Sequence, residues 1–171
     1  LLRALSAELA SMAVWLNVYR REFLRDNGLN FKFGILHEDE QFTPRCFLKA
    51  NTVVYSGVFF YHYIIRPSSI TTKPDKRKNA IDLYNTCLEL EKIYNSLDNY
   101  KLKKLLKDSL SQKYLNMFQV GALYQYGNTY VHKKFVFHNA YKYRTRLKAV
   151  LYWLSPKLYY KINERSKRRN R

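Results

Sequence analysis

Through the middle of the chain, apolar residues recur at helical spacing. Ala80, Leu83, Cys87, Leu90, Tyr94 and Leu97 fall on one stripe. A second stripe holds Leu102, Leu105 and Leu106, Leu110, Tyr114, Met117 and Phe118, and Leu123 and Tyr124. The pattern predicts two amphipathic helices packed antiparallel, with the stripes as their shared core. Upstream the pattern is mixed. Residues 11–25 (SMAVWLNVYRREFLR) predict a helix with Val14, Val18 and Phe23 near one face, closed by Gly28 as a left-handed cap. Phe31 to Leu36 is expected to be a short extended segment. Gln41 to Ala50 predicts a helix that begins either with Thr43 capping and Pro44 in the first turn, or with Asp39 capping a slightly longer helix. Asn51 to Tyr55 and Val58 to Ile65 are β-branched and aromatic and predict two strands, a hairpin being one arrangement across Ser56-Gly57. Arg66 to Thr72 is a loop by composition, and Lys73 to Lys78 a charged linker. From Val131 onward aromatics alternate with cations, and Ser155-Pro156 splits this stretch into two helices.

A chain of 171 residues suffices for one domain, or for a small domain with a helical appendage. Its 47% hydrophobic and 16% aromatic content argue against disorder. The 16 tyrosines suit surfaces that are half apolar and half wet, such as sugar clefts and membrane edges, or ordinary half-buried packing. Net charge is +18, and residues 132–171 hold 13 Lys/Arg against one acid, a local +12. That asymmetry predicts an anionic partner (nucleic acid, an acidic lipid surface or a phosphorylated ligand), with a solvated tail as the alternative. Cys46 and Cys87 lack metal-ligand spacing, fit a reducing compartment and are expected to pack. No apolar run reaches membrane-spanning length, and Arg3 and Glu8 interrupt the apolar opening, against a signal peptide. The chain opens on Leu1 rather than Met and is expected to begin inside a longer protein.

Against this basic background Glu38, Asp39 and Glu40 stand together in GILHEDEQF. Such a cluster at a helix start is often a charge–dipole arrangement alone. His37 beside it belongs to no His-x-x-x-His zinc pair, and the chain has neither a Gly-x-Ser-x-Gly elbow nor a persuasive Cys/His nucleophile pair. The surrounding residues add to the picture. A Trp precedes a Tyr-Arg-Arg segment, followed by Asn-x-Leu-x-Phe, the Glu-Asp pair, KANTVVY, Tyr61-His62-Tyr63 and Arg66-Pro67-Ser68-Ser69-Ile70-Thr71. Over residues 11–72 this order resembles the second half of a family-2 glycosyltransferase with the GT-A fold, of the kind that builds bacterial capsule, exopolysaccharide or lipopolysaccharide.

The resemblance implies an α+β fold: residues 1–74 as the C-terminal part of a GT-A catalytic domain, followed by an α-helical extension. The extension is expected to comprise a helical hairpin over 75–130 and a basic aromatic tail over 131–171. Asp39 would be the general base of an inverting transfer, held ionised by the helix dipole, with Glu38 fixing the acceptor or the Asp. Arg66 and Ser69 would close over the donor's diphosphate, or Arg66 is a surface loop residue. Trp15 would line the sugar cleft or pack in a helix core, and His37 and His62 would be donors to sugar or phosphate or else satisfied structural histidines, His62 above all. The implied partners are a nucleotide-sugar donor and a saccharide or lipid-linked acceptor. A divalent cation, Mg or Mn, is implied too, with ligands mainly upstream of Leu1, so this piece alone is expected to be inactive. The basic aromatic tail suits an anionic membrane surface, giving a cytoplasmic protein peripheral to the inner face of the membrane. The rival classes are a nucleic-acid binder, which lacks a recognisable module here, and a helical interaction module without catalysis.

Overall fold

The structure, a computed structural model, describes residues 11–64, 75–120 and 132–169, apart from the side chains at 120 and 165–169. The chain divides into two units, Leu1–Pro74 and Asp75–Arg171. Every regular element among the described residues is helical, which overturns the α+β expectation and the GT-A domain fragment with it.

In the first unit a 3-10 turn, Val14–Leu16, precedes α1 (Arg21–Asp26) and α2 (Asp39–Lys49). The long helix expected over 11–25 is therefore broken, and Asn17 in extended conformation ends the turn. α1 closes as the sequence indicates. Gly28 takes φ +60°, its N–H reaches the Arg25 carbonyl, and the Leu29 N–H reaches the Leu24 carbonyl. These two bonds make a Schellman cap, and Leu29 is delivered into the core. That core joins Leu29, Phe42 and Cys46, with Val14, Tyr19, Phe23 and Leu24 packed against it. Phe42 is its centre, stacked on Phe31 and met edge-on by Tyr19.

The expected strands do not form. Phe31 to Leu36 contains a turn, and residues 52–64 run without regular structure. The reason lies at Ser56-Gly57. Tight hairpins need φ > 0 at the first central residue, whereas here only the second, Gly57 at +68°, is left-handed. The Ser56 hydroxyl also captures the Val58 N–H, a donor that a ladder would use. No ladder forms among the described residues, and an isolated two-stranded pair is marginal in any case.

The second unit contains α3 (Arg77–Asn95), α4 (Tyr100–Val120), α5 (Lys133–Asn139), α6 (Tyr143–Leu154) and α7 (Pro156–Arg169). α3 and α4 are the two helices that the apolar stripes predict, with Ala80, Cys87, Leu90 and Tyr94 buried on one and Leu106, Leu110, Tyr114, Met117 and Phe118 on the other. Leu123 and Tyr124 lie outside the described residues. Asn99 caps α4 through the Leu102 N–H, and Ser155 caps α7 through the Leu158 N–H, with Pro156 in the first turn as expected. α5 was not legible as a separate helix.

Tyrosine supplies much of this core. Phe118, Tyr152 and Tyr159 form an edge-to-face cluster, and Tyr114 meets Phe135 in the same way. Burial drives the Tyr114 and Tyr152 hydroxyls upward in pKa and pushes Tyr159 up to about 12. The joint between α5 and α6 is fixed by Asp108, which is only 1% exposed. Its Oδ1 accepts the Tyr141 and Lys142 N–H groups at 2.6 and 2.9 Å. Its Oδ2 accepts the Thr145 hydroxyl at 3.1 Å and the Gln112 amide at 2.9 Å. Four donors thus compensate a buried carboxylate that makes no ion pair among the described residues.

Two stability outcomes follow from this unit. Asp108→Ala strands those donors and should cost about 3 kcal/mol in urea unfolding, while Asp98→Ala at the exposed α3–α4 link should leave the midpoint nearly unchanged. The Tyr152 hydroxyl is buried without a hydrogen bond among the described residues, so Tyr152→Phe should raise stability by about 1 kcal/mol in the same measurement.

Candidate functional site

The acidic cluster sits where the chain turns sharply into α2. Gly34 has φ +81°, and His37 has φ +60°, the one non-glycine residue with positive φ among those described. A left-handed histidine costs conformational energy that the surrounding structure must hold in place, and such residues gather at functional turns. From that turn the helical bonding starts at once: the Glu40 N–H reaches the His37 carbonyl, and the Gln41 and Phe42 N–H groups reach the Glu38 carbonyl. Asp39 and Glu40 therefore form the first turn of α2. Neither expected start holds: Glu38 is the cap residue and Asp39 the first helical one, and Pro44 stands inside the helix with no N–H for the Glu40 carbonyl.

Asp39 is 9% exposed. Its Oδ1 takes the Glu40 N–H at 2.9 Å, the one hydrogen bond this carboxyl makes to the described residues. Loss of solvent raises its pKa above the ordinary 3.8, the Glu40 and Glu38 charges push the same way, and the Glu40 N–H and His37 only partly oppose them. The helix dipole, expected to hold this group ionised, acts in the opposite direction. Burial and like charge outweigh that effect here. Glu38, His37 and Glu40 are half-buried around it.

Tyr19 is the residue that reading the cluster alone misses. Its hydroxyl lies 3.4 Å from the Thr43 hydroxyl on α2. Its pKa is raised, first by burial and in part by the negative charge of Asp39, so the two groups share one electrostatic environment. The Tyr-Arg-Arg segment of the resemblance contains this tyrosine and was the available signal. The 3-10 turn that carries Trp15 packs on α2, and the Trp15 ring stacks on Tyr63 at 6.0 Å with Tyr61 at 6.1 Å. Trp15 is thus neither a helix-core residue nor isolated: its ring is half-exposed beside two tyrosines, an apolar face bordered by hydroxyls. His62, between those tyrosines, is exposed. Arg66 and Ser69 lie outside the described residues.

No group of three His, Cys, Asp or Glu side chains among the described residues is arranged to hold a metal ion. The divalent cation implied by the resemblance finds no ligand set among the described residues. Cys46 is buried in the first core, where burial raises its thiol to about 11, and Cys87 is buried in the second; neither is a ready nucleophile. No helix among the described residues is long and apolar enough to cross a membrane. Comparison with protein-family models, curated proteins and solved structures finds no match for this chain.

The raised pKa of Asp39 has a stability consequence of definite sign. Between 3.8 and its higher folded value, the folded state binds more protons than the unfolded one, so stability falls as pH rises through this window. The penalty is absent below 3.8 and complete above the folded value. Asp39→Asn should accordingly unfold at higher denaturant than the parent at pH 7, with the gap closing as pH falls toward 3.8.

Proposed function

We propose that this chain carries the acceptor side and general base of an inverting glycosyltransferase that uses a nucleotide-sugar donor. The collinear motifs over residues 11–72 raise the idea, and the observation that carries it is the state of Asp39. It is a buried carboxyl of raised basicity, opening a helix behind a strained turn, with a single backbone hydrogen bond. A base works best when its pKa approaches the working pH, because it then holds a proton more firmly while remaining mostly ionised. A carboxylate bound into an ion pair would have lost that basicity.

In the reaction, Asp39 takes the proton from an acceptor hydroxyl as the hydroxyl oxygen attacks the anomeric carbon. The bond from that carbon to the diphosphate oxygen breaks, and the nucleoside diphosphate leaves with the electron pair. The proton ends on the Asp39 carboxyl and the anomeric configuration inverts. One base suffices, because the diphosphate is a good leaving group without a proton, unlike the sugar alkoxide released in glycoside hydrolysis. The Glu40 and Glu38 charges raise the basicity of Asp39 beyond what burial alone gives. The half-exposed ring of Trp15, with Tyr61 and Tyr63, suits the apolar face of a saccharide acceptor.

The experiment is sugar transfer from a panel of nucleotide sugars by the full-length product of the reading frame. Asp39→Asn should lower kcat by about 100-fold or more with KM little changed, and Asp39→Glu should recover part of the loss. The acid limb of kcat/KM should lie above the ordinary carboxylate value of 3.8, because burial raises Asp39. Undiminished transfer by Asp39→Asn would remove the assignment.

A further inference from the structure

The surface of α6 carries a second apolar face. Its inward stripe is Thr145, Ala149 and Tyr152, all buried. At about 100° per residue, Tyr143, Leu147 and Leu154 fall about 180° from that stripe. They are 77%, 53% and 75% exposed. A helix packed on a core through one face is normally polar on the other. Here the outer face is apolar along its length, so water is a poor neighbour for it.

The charges beside this face are of one sign. Arg144 and Lys148 flank it, exposed, and α6 contains no acid. Arg146, on the other flank, donates to the Phe137 carbonyl and lies over the Phe137 ring. From 132 to 163 the chain has no Asp or Glu, and the first acid, Glu164, is engaged by Gln119 on α4. We propose that the outer face of α6 is a docking surface for an anionic lipid bilayer. Leu147 and Leu154 enter the acyl boundary, Tyr143 sits at headgroup level, and Arg144 and Lys148 meet the lipid phosphates.

Charge selects this occupant over two others. A second copy of the chain brings another +18 and would be repelled. A nucleic acid offers phosphates but no apolar medium for two exposed leucines. The inference does not depend on Asp39 or on sugar transfer, so the two can fail separately.

The test is co-sedimentation of the chain with vesicles of phosphatidylcholine alone and of phosphatidylcholine mixed with phosphatidylglycerol. Binding should require the anionic lipid and weaken as salt shortens the screening length from about 10 Å to about 3 Å. Leu147→Ser with Leu154→Ser should reduce partitioning about tenfold at unchanged charge. Arg144→Gln with Lys148→Gln, which removes two cations from the surface, should reduce it about thirtyfold. All four positions are exposed, so helical circular dichroism should be retained, and the salt series on the unaltered chain needs no variant. Equal binding to neutral vesicles, or full binding by the leucine pair variant, overturns the proposal. So does the absence of vesicle binding, whether the chain then binds an oligonucleotide or forms a dimer that the leucine variant splits.

Discussion

The second unit hangs on a buried carboxylate that has no counter-ion among the described residues. Asp108 lies in the helix that contacts α3, α5 and α6, and its two oxygens gather the backbone leading into α6, a hydroxyl one turn further on and an amide from its own helix. A buried carboxylate is tolerable only when its lone pairs are filled, and filling them here fixes where α6 starts and which side faces inward. Thr145 accordingly points to the core, with Ala149 and Tyr152 following at helical spacing. The outward presentation of Tyr143, Leu147 and Leu154 is the other side of the same registration. One side chain thus sets both the packing of the unit and the face it shows.

Burial does different work at Asp108 and Asp39. Asp108 is surrounded by donors and serves architecture. Asp39 is nearly as enclosed but has one backbone donor and two neighbouring carboxyls, so its charge is poorly compensated. Groups perturbed in this way cluster at functional sites, and the general-base role proposed for Asp39 rests on that uncompensated charge. The strained backbone at His37 immediately before it belongs to the same pattern.

The second unit was largely legible in the sequence because helices are local. The stripe from Ala80 to Tyr94 needs only a partner stripe, and Leu106 to Phe118 supplies one. Gly28, Ser155 and Pro156 are equally local devices and act as read. The strands failed because β-propensity describes a side chain's fitness for a sheet, not the existence of one. Val53 to Ile64 has the composition of a strand pair, but its turn residue is left-handed at the wrong position and no partner strand is present among the described residues. At the candidate site the position of Asp39 at a helix start was legible. The sign of its pKa shift was not, because burial depends on how Phe42 and Leu29 pack beyond the first turn. The link to Tyr19 was hidden for the same reason.

The stretch over residues 52–64, which lacks regular structure, bears on how the protein behaves at high concentration. Val54, Val58, Phe59, Phe60 and Ile64 are turned to solvent, with no charged side chain between Lys49 and that isoleucine. Runs of this kind associate edge to edge when copies meet. What holds copies apart is their common positive charge, a long-range repulsion that dissolved ions shorten. Colloidal stability therefore rests on dilute buffer, and the salting-in that rescues many proteins would here bring the sticky arms within reach of each other.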